Sequence, residues 1–166
     1  MFDGLENKKS KLEVCMKKQL VLLTIFIFSI LSCGRFSAQN AEVNPEIEAI
    51  KKVIVDAYIN GVFNKGDASL IRKGCHPDCD VLVLAQGRLM KTPAYSYADR
   101  LEKNPGPTRA GTTYKFIDIH VTGYAGLAIV EIFYEGKPIY TDYISLYKFD
   151  GGWKLVTKIF YSHPQD

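Results

Sequence analysis

The stretch YTDYISLYKFDGGWKLVTKIFY, Tyr140 to Tyr161, constrains the fold more than any other part of this chain. Two alternating apolar and polar runs flank Asp150-Gly151, a dipeptide that tolerates the positive φ of a tight type I′ turn, so the segment is expected to form an antiparallel hairpin. With Phe149 opposite Gly152, the pairs become Lys148 with Trp153, Leu146 with Leu155, Ile144 with Thr157, Asp142 with Ile159, and Tyr140 with Tyr161. Paired residues share a sheet face. One face then carries Trp153, Leu155, Ile159, Leu146 and Ile144, and it also carries the carboxyl group of Asp142. Lys154, Lys158, Tyr143, Tyr147, Val156 and Phe160 fall on the other.

Residues 1–39 read as a leader. Met16-Lys17-Lys18 followed by LVLLTIFIFSIL has the charged start and short apolar core of a secretory signal. The residues before Met16 fit no part of that pattern, which points to translation from Met16. Two processing routes are open: ILSC is similar to a lipoprotein box with Cys33 as the lipidated residue, and Ser37-Ala38-Gln39 offers ordinary cleavage. Both place the domain outside the cytoplasm, either lipid-anchored in the cell envelope or secreted or periplasmic. The leader holds six Lys or Arg and three Asp or Glu, the whole of the net charge of +3, so residues 40–166 are neutral. Such a neutral domain has no basic stripe for a phosphate backbone, which argues against a nucleic-acid partner.

Within residues 40–166, a single domain is expected. Asn44-Pro45-Glu46 has a capping side chain, a proline at the first helical position and a dipole-compatible acid; Ile47, Ile50, Ile54, Tyr58 and Val62 follow on one helical stripe. Asp67 caps a second helix ending at Gly74. Asp80 to Lys91 reads as a hairpin turning at Gln86-Gly87, and Thr92-Pro93 opens a third helix that Asn104-Pro105-Gly106-Pro107 breaks. Two long strands follow, with Ile117, Ile119 and Val121 expected to face inward beside Ala128, Val130 and Ile132. Helices early and a meander late make an α+β domain in which three helices cover a bent, mostly antiparallel sheet. Cys75 and Cys79, in GCHPDC, leave a local disulfide, free half-buried thiols and a metal site as alternatives; the spacing matches no zinc pattern, and no metal is expected.

The segments IEAIKKVIVDAYINGVFNKGDASLIRKGCHPDCDV, IDIHVTGYAGLAIVEI and YTDYISLYKFDGGWKLVTKIFY resemble the nuclear transport factor 2-like (NTF2-like) superfamily, in particular its SnoaL-like branch and the group described as "putative lumazine-binding". The resemblance spans about Glu46 to His163. It implies a cone-shaped half-open barrel with a pocket between sheet and helices, usually dimerised, and pockets in which an acid, histidine or tyrosine supports isomerisation, dehydration or cyclisation in those members that are enzymes. The motifs are turns and packing positions, so fold does not fix function.

Asp142, with Thr157, Tyr140 and Tyr161 on its face, has two readings: a general base or hydrogen-bond anchor in the pocket, or a structural acceptor fixing the helices to the sheet. His76, held extended before Pro77, could assist from the rim or bond a turn. His120 should face outward. Tyr58, Phe63, Met90, Tyr97, Tyr134 and Trp153 are either core or the aromatic wall of a pocket for a planar ligand. No cofactor is expected, and with no glycine-rich phosphate loop, serine nucleophile elbow or paired histidine ligands, nucleotide hydrolysis, acyl transfer and zinc chemistry have no residues to rest on. Three functions compete: binding of a small molecule, an isomerase, dehydratase or cyclase activity with Asp142 as base, and a protein-interaction module. The outer sheet face, with Leu127, Ile129, Phe133, Tyr143, Tyr147, Val156 and Phe160 among Glu131, Lys154 and Lys158, is expected to form a homodimer.

Overall fold

The computed structural model describes residues 44–165. The expected signal segment, the expected start at Met16 and the lipidation candidate Cys33 lie outside the described residues. Asn44 caps helix α1, Pro45–Ile54, through a 3.0 Å bond from the Glu46 amide to its side chain. The helix runs on as a π-helical stretch, Val55–Asn64. In that wider winding the amide five residues on reaches back to a carbonyl, as Lys65 N does to Asn60 O at 2.9 Å. Residues five apart therefore stand above one another: Ala57 with Val62, and Tyr58 with Phe63, whose rings meet edge to face at 5.2 Å. Helix α2, Ala68–Gly74, is capped by Asp67, which accepts from the amides of Ser69 and Leu70. Helix α3, Ala94–Lys103, starts after Pro93 and buries Ala94 and Ala98.

Six strands follow this order: β1 Cys75–Ala85, β2 Arg88–Pro93, β3 Thr113–Thr122, β4 Ala125–Tyr134, β5 Lys137–Phe149 and β6 Gly152–Ser162. They form one sheet in the order β2-β1-β6-β5-β4-β3, antiparallel except where β1 lies parallel to β6. The parallel pair lets the last strand sit at the centre, covered by the helices. The sheet is open, with β2 and β3 as its edges. Ile50, Ile54, Ile59 and Ile71 from the helical layer close over Val130, Ile132, Ile144 and Leu146, giving the expected α+β architecture of helices over a curved, mostly antiparallel sheet.

Three local expectations are corrected. Neither Asp150 nor Gly151 takes a positive φ; Gly152 does, at 99°, so a glycine bulge beside the turn replaces the type I′ geometry. In β3 the ladder shifts between Phe116 and Asp118, leaving Ile117 as the extra residue, exposed, while Phe116, Ile119 and Val121 share the inner face. The expected β5–β6 pairs hold from Phe149–Gly152 to Leu146–Leu155; then Val156 bulges, and Ser145 pairs with Thr157, Ile144 with Lys158 and Asp142 with Phe160. Beyond that point β6 shows its other set of side chains to the core, because one extra residue inverts the alternation.

Candidate functional site

The bulge at Val156 creates the site. It turns Lys158 and Phe160, both expected on the outer face, toward the helices, and turns Thr157, Ile159 and Tyr161 away. Thr157 instead donates to the Asp80 carbonyl at 3.1 Å, and Tyr161 lies exposed, edge-on to His163. Asp142 keeps its inward phase, since β5 itself has no break between Tyr140 and the turn. Its side chain is fully buried, and it meets Lys158, whose side chain is 8% exposed, with Nζ 2.7 Å from Asp142 Oδ1.

Lys158 Nζ also donates to the Tyr58 hydroxyl oxygen at 2.9 Å. Three ring faces surround the amine: Phe160 at 4.1 Å, Tyr58 at 4.7 Å and Tyr140 at 5.9 Å from Nζ to the centroids. Such a box stabilises a cation through the ring quadrupoles. Burial acts in the opposite sense. Loss of water pushes the Asp142 carboxyl above its ordinary range and the Lys158 ammonium below its own, and each partner's charge offsets only part of that. Both shifts move the pair toward neutral acid and neutral amine. Asp142 Oδ2 is buried without a hydrogen-bond partner among the described residues, leaving one lone-pair site unused.

The amine faces a cavity of about 400 Å³ between helices and sheet. Its apolar wall comes from the π-helix through Ala57, Tyr58, Val62 and Phe63, from β1 through Val81 and Val83, and from α3 through Tyr97. Tyr140, Phe160 and Lys158 form the sheet side, and exposed Arg109 stands at the edge, its amide bonded to the Phe63 carbonyl. Cys75 and Cys79 line the same space as free, buried thiols, so the disulfide alternative does not apply. A hydrogen bond between them lowers the Cys75 thiol and raises that of Cys79. No cluster with metal-binding character occurs among the described residues.

Of the residues singled out from sequence, Tyr58, Phe63, Tyr97 and Tyr140 line this cavity, and Asp142 lies behind Lys158. The others do not. His76 stacks on Phe149 with centroids 4.9 Å apart and accepts the Asp78 amide at 3.2 Å, so it is held by its own HPD turn, away from Asp142. Met90 shares its face with Val83, but it sits on the edge strand and is 55% exposed. Trp153 is core: its indole donates to Glu46 at 2.6 Å, and its ring packs over Gly126, where a Cβ would crowd it and Ile50. Tyr134 lies at the end of β4 under the Arg109 guanidinium. The residues missed include Lys158 and Phe160 at the buried pair and Arg109 at the edge. The available signal was chemical: an acid at an inward position calls for a nearby cation, and Lys158 is one residue out of phase with it.

The family model described as "putative lumazine-binding" matches residues 45–161. Among solved structures, an NTF2-like protein of unknown function from Shewanella baltica superposes with a TM-score of 0.61 at 23% identity, covering 73% of this chain and 96% of that one. One from Silicibacter pomeroyi gives 0.59 at 16% identity over 72% and 97%, and one from Methylobacillus flagellatus 0.59 at 21% over 74% and 97%. These likenesses show the fold. A Cladobotryum protein named aldolase FrzH is 29% identical over 117 residues, 68% of this chain and 90% of its own length.

Proposed function

The chain belongs to the NTF2-like family described as "putative lumazine-binding", and from that premise we propose that it binds a planar, moderately apolar small molecule carrying a carbonyl or similar acceptor. The observation that carries this reading is the single amine of Lys158, held by a buried carboxylate and presented to an aromatic-walled cavity. Apolar walls with a few convergent polar groups are what a ligand site of this size has. Tyr58, Phe63, Tyr140 and Phe160 would grip a ring by stacking, and Lys158 would donate to its oxygen.

Thermal unfolding in the presence of pteridines, flavins, steroids and aromatic polyketides tests the reading. A planar carbonyl compound should raise the midpoint of the wild type and leave a cavity-filling Val62→Trp variant unchanged. Equal shifts in both proteins, or none with any compound, would reject it.

The Lys158–Asp142 pair favours a second reading, an enzyme acting beside a carbonyl group. The pair supplies an acid and a base in one desolvated contact, and a relative bears the name aldolase. In this reading Asp142 moves protons through Lys158, with no part for His76. Export by the leader and homodimerisation through the outer sheet face belong to the same proposal. The second rests on Tyr143, Tyr147, Ile159 and Tyr161, which expose large apolar surface on one face. N-terminal sequencing of the expressed protein would find the chain beginning at Cys33 or near Gln39 if the leader is processed.

A further inference from the structure

We propose that Lys158 is a carbonyl-reactive amine, which condenses with an aldehyde or ketone in the cavity to give a Schiff base, while Asp142 relays the protons. The inference rests on the reading that the cavity binds a small molecule, and it adds a covalent step. Three observations converge. Lys158 Nζ is buried yet lines the cavity, so a bound carbonyl carbon can reach it. Asp142 Oδ1 contacts that nitrogen at 2.7 Å, and its Oδ2 has no partner among the described residues, which gives the carboxyl both a proton-accepting and a proton-delivering atom. The rings of Tyr58, Tyr140 and Phe160 enclose the nitrogen and would favour the cationic product in the same place.

The step balances without any oxidant or reductant. Asp142 takes a proton from the Lys158 ammonium, and the freed lone pair attacks the carbonyl carbon; the C–N bond forms as the C–O π bond opens, and the oxygen takes a proton back from Asp142. A second proton, passed from nitrogen to oxygen through Asp142, lets the C–O bond break and water leave. The net change is one carbonyl and one ammonium to one iminium and one water, with the positive charge kept on nitrogen. Burial that weakens the ammonium supplies the neutral amine such chemistry requires. Asp142, Tyr58 and the Cys79 thiol are the titratable groups acting on that amine.

The test uses the full-length chain and 1-phenylbutane-1,3-dione, an aryl diketone that condenses with a neutral amine to a stable vinylogous amide. Intact mass and peptide mapping should show one diketone less one water on Lys158, formed roughly tenfold or more faster than on any exposed lysine, in keeping with the neutral fraction that burial confers. Lys158→Met/Asp142→Asn, which removes both charges together and so avoids an unpaired buried ion, should show only the slow surface reaction; Lys154→Met should behave as wild type. Ethyl benzoate, a planar aryl carbonyl compound that does not condense with an amine to an imine, reports cavity binding alone through the thermal midpoint. Ester binding with Lys158 left unmodified by the diketone would overturn the covalent step and leave the binding reading standing. If neither compound binds, both readings fall.

Discussion

Asp142 and Lys158 are bound to one another by opposed costs. A buried pair of this kind gains Coulomb energy only because both partners are present, and removing one leaves an uncompensated charge worth about 3–5 kcal/mol. Lys158→Met should therefore destabilise strongly, while Asp142→Asn/Lys158→Met should cost less than either single change, as a urea double-mutant cycle would measure. The Lys158→Met loss should shrink on acidification. An acid whose folded pKa is raised favours folding while protonated, below its unfolded value near 3.8, and loses that contribution as pH rises through the folded value. Glu46 behaves in the opposite way. Hydrogen bonds from Lys148 and Trp153, each 2.6 Å, hold its carboxyl below the usual range near 4.5. Its stabilisation is present above that value and lost as pH falls through the folded pKa, so the difference in urea midpoint between wild type and Glu46→Gln should close as acid is added. The sequence showed Glu46 only as a helix-start acid, because its partners lie more than 100 positions away.

At the scale of elements, α2 ends against the π-helix with no room for a side chain at Gly74. A Cβ on Gly74 would fall inside the Ala57 methyl group and press on Val53. Gly74→Ala should lower stability by about 1–3 kcal/mol as an overpacking change, with partial recovery on adding Ala57→Gly, read from urea unfolding midpoints. Much of this layer was legible in the chain: Asn44 and Asp67 as caps, Pro93 before α3 and Gln86-Gly87 as a turn all act through residues two or three positions away. The π-helix was not. A stripe of period 3.6 found Tyr58 and Val62, yet the wider winding that sets Tyr58 edge-on to Phe63 answers to the cavity side of the fold. The Val156 bulge escaped for a similar reason, since Trp153, Leu155 and Ile159 read as one unbroken alternation.

For the whole molecule, the open sheet offers two faces of different character. Its inner face carries the cavity, and its outer face carries Tyr143 beside Ile159, directly paired and both exposed. If two copies associate there, Ile159→Glu or Tyr143→Arg should convert a dimer to a monomer in light scattering at unchanged thermal stability of the subunit; a wild-type chain that is monomeric at high concentration would remove that part of the proposal. Read alone, the sequence determined the elements, their order, the helical caps and the inward phase of β5, since each depends on neighbours a few residues away and on simple alternation. The tertiary structure decided which residues meet Asp142. One extra residue in β6 trades Thr157 for Lys158, and that choice depends on a parallel neighbour and a helical cover contributed from the opposite end of the domain.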